Sequence, residues 1–473
     1  MLLNPNLQGQ SDGGYIARSV PLGILYIAAA LRQAGYNLIN IVDARVNDLD
    51  HQEILARISN FSPDVVGISC LCTEAAETHR LAGLIKASAA RCKVVVGGAH
   101  ATSSPESLIE DPNIDFVVTG EGERTICELV GALESGRDVS GIDGLAIKTG
   151  TGIKVNPRRK MIEDIDSIPF PAWDLVDMEE YLNFTTRHSQ NPLPASHRLM
   201  PMSTSRGCPF GCIYCHNIFG KRIRLRSAEN VLREIELLVE RYAIGEIEIL
   251  DDIFNFDLGR AKKICDEIVK RGIKIKLSFP NALRVDGMDE ELVLKLKEAG
   301  THLIYYAIES GSPAVQKRIG KNLDLDKARE IIRFTARQGI IVCGFFMFGF
   351  PGETKEELLK TVSFAIKMPF LFVHFFYVTP RPNTPLYALL KNTKTNLENI
   401  VFHHYFKLSV NMSALTDAEL RKLRAKAYIG FYLRPAQMWR IWKGLPDRRY
   451  ILIHIPAVLK RCLEYVFPKM SWS

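Results

Sequence analysis

Cys208, Cys212 and Cys215 fall within eight residues, in the run Cys208-Pro209-Phe210-Gly211-Cys212-Ile213-Tyr214-Cys215. Three thiolates on one short loop can ligate three irons of a cubane cluster. The fourth iron then has no protein ligand, and an open metal position is where chemistry can occur. The competing use of the loop is a structural zinc ion with His216 as fourth ligand. Adjacent Cys215 and His216 would be strained around one tetrahedral ion, and no second pair follows at zinc-finger spacing. The other seven cysteines (70, 72, 92, 127, 265, 343 and 462) are scattered in apolar settings and read as small core residues.

The elements that must position this loop come next. A strand-like run at 202–205 directly precedes the cysteines. Further runs follow at 247–250, 275–279, 303–308, 341–346 and 372–377, with helical patterns between them, for example at 228–241 and 290–299. Six βα units in series suit a partial barrel, whose catalytic face is the C-terminal end of its strands. Polar and glycine clusters fall at that end of successive strands: Asp251-Asp252, then Asn281, Arg284 and Asp286, then Glu309-Ser310-Gly311-Ser312, Gly349-Phe350-Pro351-Gly352-Glu353, and 379–386. Each alone is ordinary turn chemistry. Their shared position argues for one site.

Residues 1–145 also alternate strand and helix signals and read as a doubly wound, Rossmann-like parallel sheet, with strands expected at 38–42, 65–69, 94–96 and 116–118. Asn4-Pro5-Asn6, Ser69-Cys70-Leu71, Gly97-Gly98-Ala99-His100 and Gly120-Glu121-Gly122-Glu123 line the crevice where such sheets bind ligands. No G-x-G-x-x-G follows the first strand, which disfavours a dinucleotide. Residues 146–195 read as a linker that contains a hairpin (146–148 with 153–155), Pro169, Pro171 and a polar stretch at 185–191. The barrel core is expected over 196–414 and a basic helical tail over 415–473, in keeping with a chain of 473 residues.

The formal net charge of +7 is concentrated in that tail, where twelve Lys or Arg face four acids, a net of +8. The tail mixes these cations with Tyr428, Phe431, Tyr432, Trp439, Trp442, Ile451, Ile453 and Phe467. Two uses fit: a helical cap on the barrel with a solvated basic face, or peripheral contact with anionic membrane. Nucleic acid is disfavoured, because the rest of the chain is near neutral. The longest apolar run near the tail, 450–459, is too short to span a bilayer. A start without a signal-peptide pattern and the scattered cysteines point to a reducing cytoplasm.

The C-x3-C-x2-C spacing, with aromatic Tyr214 before the last cysteine, resembles the radical S-adenosylmethionine (SAM) superfamily. The resemblance implies a [4Fe-4S] cluster on Cys208, Cys212 and Cys215, with SAM chelating the open iron and cleaved there to a 5′-deoxyadenosyl radical. It implies SAM contacts from Tyr214, from Glu309 and Ser310 to ribose and carboxylate, and from the Gly349–Gly352 backbone beside adenine. Asp252 stands where the family grips the methionyl amine, although the usual glycine-glycine-acid signature is absent. Arg284 is a candidate partner of the SAM carboxylate. The first domain is similar to the cobalamin-binding domain preceding many radical SAM cores, on Pro21-Leu22-Gly23 and the two glycine turns. Its candidate cobalamin contacts are Asn4, Pro5, Ser69, Gly97, Gly98, His100, Gly120 and Glu121.

The loop from Asn4 to Pro21 holds no histidine, so it cannot supply a lower histidine ligand to cobalt. His100 is the nearest other histidine, for which a packed role is the better expectation. An apolar wall below the corrin would favour nucleophilic cobalt(I). The implied activity is methylation of an unactivated carbon in an apolar substrate, with electrons from a flavodoxin or ferredoxin. An oxidative cyclase like the anaerobic magnesium-protoporphyrin monomethyl ester cyclase group is the alternative; hopanoid methylases share the same layout. A non-catalytic cobalamin or cluster sensor is the third possibility.

Overall fold

The computed structural model describes residues 1–6, 20–182, 193–215, 218–391 and 407–444. His216, the polar stretch at 185–191 and the run at 450–459 lie outside them.

The first layer is a seven-stranded sheet. Its strands are β1 (Leu2–Asn4), β2 (Ile41–Asp43), β3 (Val65–Ser69), β4 (Lys93–Gly97), β5 (Phe116–Val118), β6 (Leu145–Thr149) and β7 (Gly152–Val155), in the order β2-β1-β3-β4-β5-β6-β7. The first five are parallel, and the chain reverses direction of winding between β1 and β3. Such a switch point opens a crevice at the C-terminal strand ends. Alternation along β4 splits the two faces. Val94 and Val96 pack with Ile54, Leu81 and Ile85 of the helices His51–Phe61 and Ala75–Ser88. Val95 packs with Leu31, Ile126 and Leu129 of the helices Leu22–Gln33 and Gly122–Glu134.

Two expectations shift here. β2 starts only at Ile41, and Leu38 is 91% exposed, because its sole partner β1 is three residues long. The hairpin assigned to the linker is β6–β7, which continues the sheet by antiparallel pairing to β5. Its pairing satisfies an edge that would otherwise present bare amides and carbonyls. The sheet therefore extends to Val155, past the expected boundary at 145.

The second layer has six strands. These are β8 (Leu199–Met202), β11 (Glu246–Ile249), β12 (Lys276–Leu283), β13 (Thr301–Glu309), β14 (Ile341–Phe348) and β15 (Phe372–Tyr377), paired in that order and all parallel. Among the described residues β8 pairs only with β11 and β15 only with β14, so this is a partial (β/α)6 barrel. A two-stranded ribbon, β9 (Ser205–Arg206) with β10 (Arg224–Leu225), stands just after β8. The first barrel strand lies three residues earlier than expected at its start. Pro201 inside it masks the strand signal, and an edge strand is where a sheet tolerates proline.

The tail closes the other edge. Helix Asp417–Tyr432 lies along β15, where the Val373 and Phe375 amides donate to the Tyr432 and Tyr428 hydroxyls at 3.0 and 2.9 Å. Buried Arg424 donates to the Phe375 carbonyl at 2.6 Å. The expected helical cap is present over these residues. Between the layers the linker is an ordered brace: Trp173, Met178 and Tyr181 share one core with Met200, Met202 and Ile235. No helix among the described residues is long and apolar enough to cross a membrane.

Candidate functional site

The cysteine loop, 207–223, springs from the β9–β10 ribbon. Asp251, at the end of β11, accepts from the Thr204 amide and hydroxyl, both at 2.5 Å, and from the Ser205 hydroxyl at 2.7 Å, so it fixes the root of the loop. Gly207 (φ +89°) turns the chain there, and a Cβ would stand 2.5 Å from the Arg222 carbonyl. Later strand ends hold the loop from the far side. The Ile213 amide donates to the Ile319 carbonyl at 3.0 Å, and the Leu386 amide donates to Ile213 at 2.9 Å. Tyr214 packs on Phe350 with ring centroids 5.4 Å apart.

Nine cysteines of the described residues are free thiols, and three of them share this loop. Desolvation by the surrounding protein, with Cys212 and Asp252 nearby, pushes the surface-exposed Cys215 thiol up to about 12. Burial also raises Cys208. Such thiols become thiolates when a metal replaces the proton. Among the described residues no three His, Cys, Asp or Glu gather as a site for a single metal ion. Three cysteines binding three different irons need no such convergence. This donor set fits a cubane cluster.

Around the loop stand the other strand ends. Asp252 is exposed, yet the surrounding protein and neighbouring Asp251 raise its carboxyl, against the Gly207 amide, which lowers it. It can receive a cationic amine. Asn281 donates to the Leu250 and Asp251 carbonyls and sets that turn. Glu309 ends β13 at φ +66°, an unusual conformation for a side-chain-bearing residue and one typical of functional positions. Its carboxylate meets buried Lys321 at 3.1 Å. Lys321 was not singled out in the sequence, because it lies twelve residues beyond Glu309 in a helix-to-helix turn. Gly349 (φ +99°) and Gly352 (φ +64°) shape the next loop. Glu353 accepts from the Gly349 and Phe350 amides at 2.9 and 3.1 Å and holds that loop from within.

Two expected SAM contacts are already committed elsewhere. The Arg284 guanidinium is paired to Asp286 at 2.8 Å and donates to the Lys321 carbonyl at 3.0 Å. It braces the cluster loop instead of offering an unpaired cation. The Ser310 hydroxyl is 3.0 Å from the Thr361 hydroxyl, its amide donates to the Ile308 carbonyl at 2.8 Å and its carbonyl accepts from the Gln316 side-chain amide at 2.6 Å, so this buried residue is committed to the turn after β13.

The first domain's candidates gather at the C-terminal ends of β1, β3, β4 and β5. Asn4 donates to Asp43 at 2.9 Å, and the Pro5 carbonyl accepts from Arg45 at 2.8 Å. Ser69 ends β3 and Gly97 ends β4. Gly98 (φ +104°) passes so close to Cys70 that a Cβ would meet its carbonyl at 2.9 Å. His100 is buried, its amide bonded to the Cys70 carbonyl and its Nδ1 without a partner among the described residues, and burial lowers its pKa. The amide of Gly120 (φ +74°) donates to the Thr102 hydroxyl at 3.0 Å. Glu121 does not face a ligand: its carboxylate is taken by Arg206 and Arg224.

These last contacts join the two layers. Arg206 and Arg224 of the ribbon bind Glu121 and Glu123, and Asn383, after β15, donates to the Ser103 carbonyl, after β4. These contacts bring the C-terminal edges of both sheets together. The ribbon arginines were missed in the sequence because their partners lie 83 to 103 residues away.

A family model for the B12 binding domain matches residues 17–130, and one for the radical SAM superfamily matches 202–365. An uncharacterized methyltransferase of Pyrococcus horikoshii is 36% identical over 422 residues, 88% of each chain. The chain belongs to the radical SAM enzymes that carry a B12-binding domain. Its cofactors are a [4Fe-4S] cluster, SAM and cobalamin. This radical SAM enzyme is also 26% identical to the anaerobic magnesium-protoporphyrin IX monomethyl ester cyclase of Rubrivivax gelatinosus, over 99% of this chain and 83% of that one. Its fold matches the radical SAM methyltransferase TsrM from Kitasatospora setae, solved with cobalamin and a [4Fe-4S] cluster bound. The TM-score is 0.67 at 22% identity, covering 81% of this chain and 73% of that one.

Proposed function

We propose that this enzyme methylates an unactivated carbon of an apolar substrate. The observation that carries the proposal is the contact between the C-terminal edges of the two sheets, which sets the neck of the cysteine loop against the Gly120–Glu123 turn and Asn383 against Ser103, just after the Gly98 turn. When bound there, the cluster with SAM supplies hydrogen-atom abstraction and the corrin supplies a methyl group.

The chain's own residues would perform the remaining tasks. Asp252 is placed to bind the SAM amine, Glu309 with Lys321 to bind its polar edge, and the Gly349–Gly352 backbone to pass beside the adenine. An apolar substrate fits the barrel interior. On β14 and β15, Phe346, Phe375 and Tyr377 face the helices, so Phe345, His374 and Phe376 face inward with Tyr305. His374 and Phe376 lie within 5° of parallel, and Tyr305 stacks on Phe345 at 4.5 Å. This wall offers ring faces to a flat or greasy molecule.

The test is anaerobic incubation of the reconstituted enzyme with SAM and reductant. Both 5′-deoxyadenosine and S-adenosylhomocysteine should form, and Cys208→Ala should yield no 5′-deoxyadenosine. Deoxyadenosine without S-adenosylhomocysteine would sink methyl transfer. It would instead favour a ring-forming oxidation, the reading supported by the cyclase similarity. The electron source in this proposal is flavodoxin or ferredoxin, and free thiols suit a reducing cytoplasm. The tail offers an exposed face, Met438, Trp439 and Trp442 beside Lys443, which supports peripheral contact with anionic lipid. Flotation with anionic but not neutral vesicles would be expected.

A further inference from the structure

The β9–β10 ribbon is the neck of the cysteine loop: the chain enters the loop through Ser205–Arg206 and leaves it through Arg224–Leu225. In this antiparallel pair Arg206 lies directly opposite Arg224. Like charges facing each other across a ribbon oppose its closure. Both side chains are also buried, with 8% and 3% of their surface exposed, so water cannot screen them.

Among the described residues the countercharge comes from the first domain. Glu121 accepts from Arg206 at 2.9 Å and from Arg224 at 2.7 Å, and Glu123 accepts from Arg206 at 2.6 Å. The remaining Glu121 lone pair accepts from the Ile162 amide at 2.8 Å, and Arg224 donates to the Ile162 carbonyl at 2.8 Å. Two cations and two anions make a neutral quartet. Its anions belong to the same Gly120–Glu123 turn that borders the first domain's crevice.

We infer that the Gly120–Glu123 turn is a positioning element for the iron-sulfur loop: Glu121 and Glu123 close the arginine neck two residues before Cys208, so cluster retention depends on docking of the B12-binding domain. The coupling is reciprocal, since whatever holds the turn holds the neck. Removing Glu121 leaves two buried guanidinium groups facing each other, and breaking a buried pair by deleting one partner is strongly destabilising. The strain would fall on the loop that carries the cysteines. This inference rests on the assignment of the cluster to that loop and not on methyl transfer.

The test measures iron release to a ferrous chelator from reconstituted, cobalamin-loaded enzyme. Glu121→Gln should release iron at least about fivefold faster than wild type, and Glu123→Gln, which removes one contact only, should act in the same direction more weakly. Ile85→Ala, in the first domain's core and remote from the neck, serves as a control for general destabilisation. It should lower the melting temperature without changing iron release. If Glu121→Gln does not fold, Glu123→Gln against Ile85→Ala makes the same comparison. Wild-type release from the glutamate variants, or equal acceleration by Ile85→Ala, would overturn the inference. Loss of methyl transfer with unchanged iron retention would bear on the activity alone.

Discussion

The guanidinium of Arg284 lies over the ring of Phe210, 3.9 Å from its centroid. Phe210 sits between Cys208 and Cys212, so the end of β12 grips the middle of the cysteine loop. The charge that sequence reasoning offered to a SAM carboxylate is used to hold the loop, with Asp286 fixing the plane of the guanidinium. Arg284→Lys keeps the charge and loses both the flat stack and the paired geometry. It should cost about 1–2 kcal/mol and lower iron per chain after reconstitution. Thermal melts and iron assay would check this.

Glu353 gives a pH dependence with a defined sign. Burial pushes its carboxyl from 4.5 up to about 8, against the Gly349 and Phe350 amides; Glu357 adds to the rise and Arg318 opposes it. A carboxyl raised in the folded state binds its proton more tightly there than in the unfolded chain. Its contribution is therefore complete below 4.5 and is lost as pH rises through about 8. Glu353→Gln keeps an acceptor for the two amides and cannot ionise. Its melting temperature should gain on wild type from about pH 5 to about pH 8 and level off above that. A constant difference across that range would contradict the assignment.

Gly98→Ala tests the crevice of the first domain. The new Cβ would meet the Cys70 carbonyl at 2.9 Å and its amide at 3.1 Å, at a backbone φ of +104°. Backbone clash at such a φ costs about 1–3 kcal/mol. The expected result is a lower melting temperature and weaker cobalamin uptake by absorbance titration, while 5′-deoxyadenosine formation persists.

The tyrosines that seal β15 are a separate test of the tail. Tyr428→Phe and Tyr432→Phe each remove a hydroxyl that receives a β15 amide. A buried donor left without a partner costs about 1–3 kcal/mol. Urea unfolding should show that loss for each variant.

The linear sequence was enough for the cysteine loop, the order of strands and helices, and the family. Those features are local: a C-x3-C-x2-C run, glycines that permit positive φ, and apolar runs of strand length. It also located the turns at Gly98, Gly120, Glu309 and Gly349, because parallel α/β architecture puts such turns on one edge. Pro201 hid the start of the first barrel strand, and the β6–β7 hairpin looked like a linker because nothing local says which strand it pairs with. Residue roles were decided only by tertiary structure. Glu121 looked like a ligand contact and is half of an ionic neck with Arg206 and Arg224, while Arg284 looked like a SAM partner and stacks on Phe210. Lys321 became visible only beside Glu309. A charged side chain's role depends on which opposite charge or ring reaches it in space, and in this fold those partners come from distant strand ends brought onto a common rim.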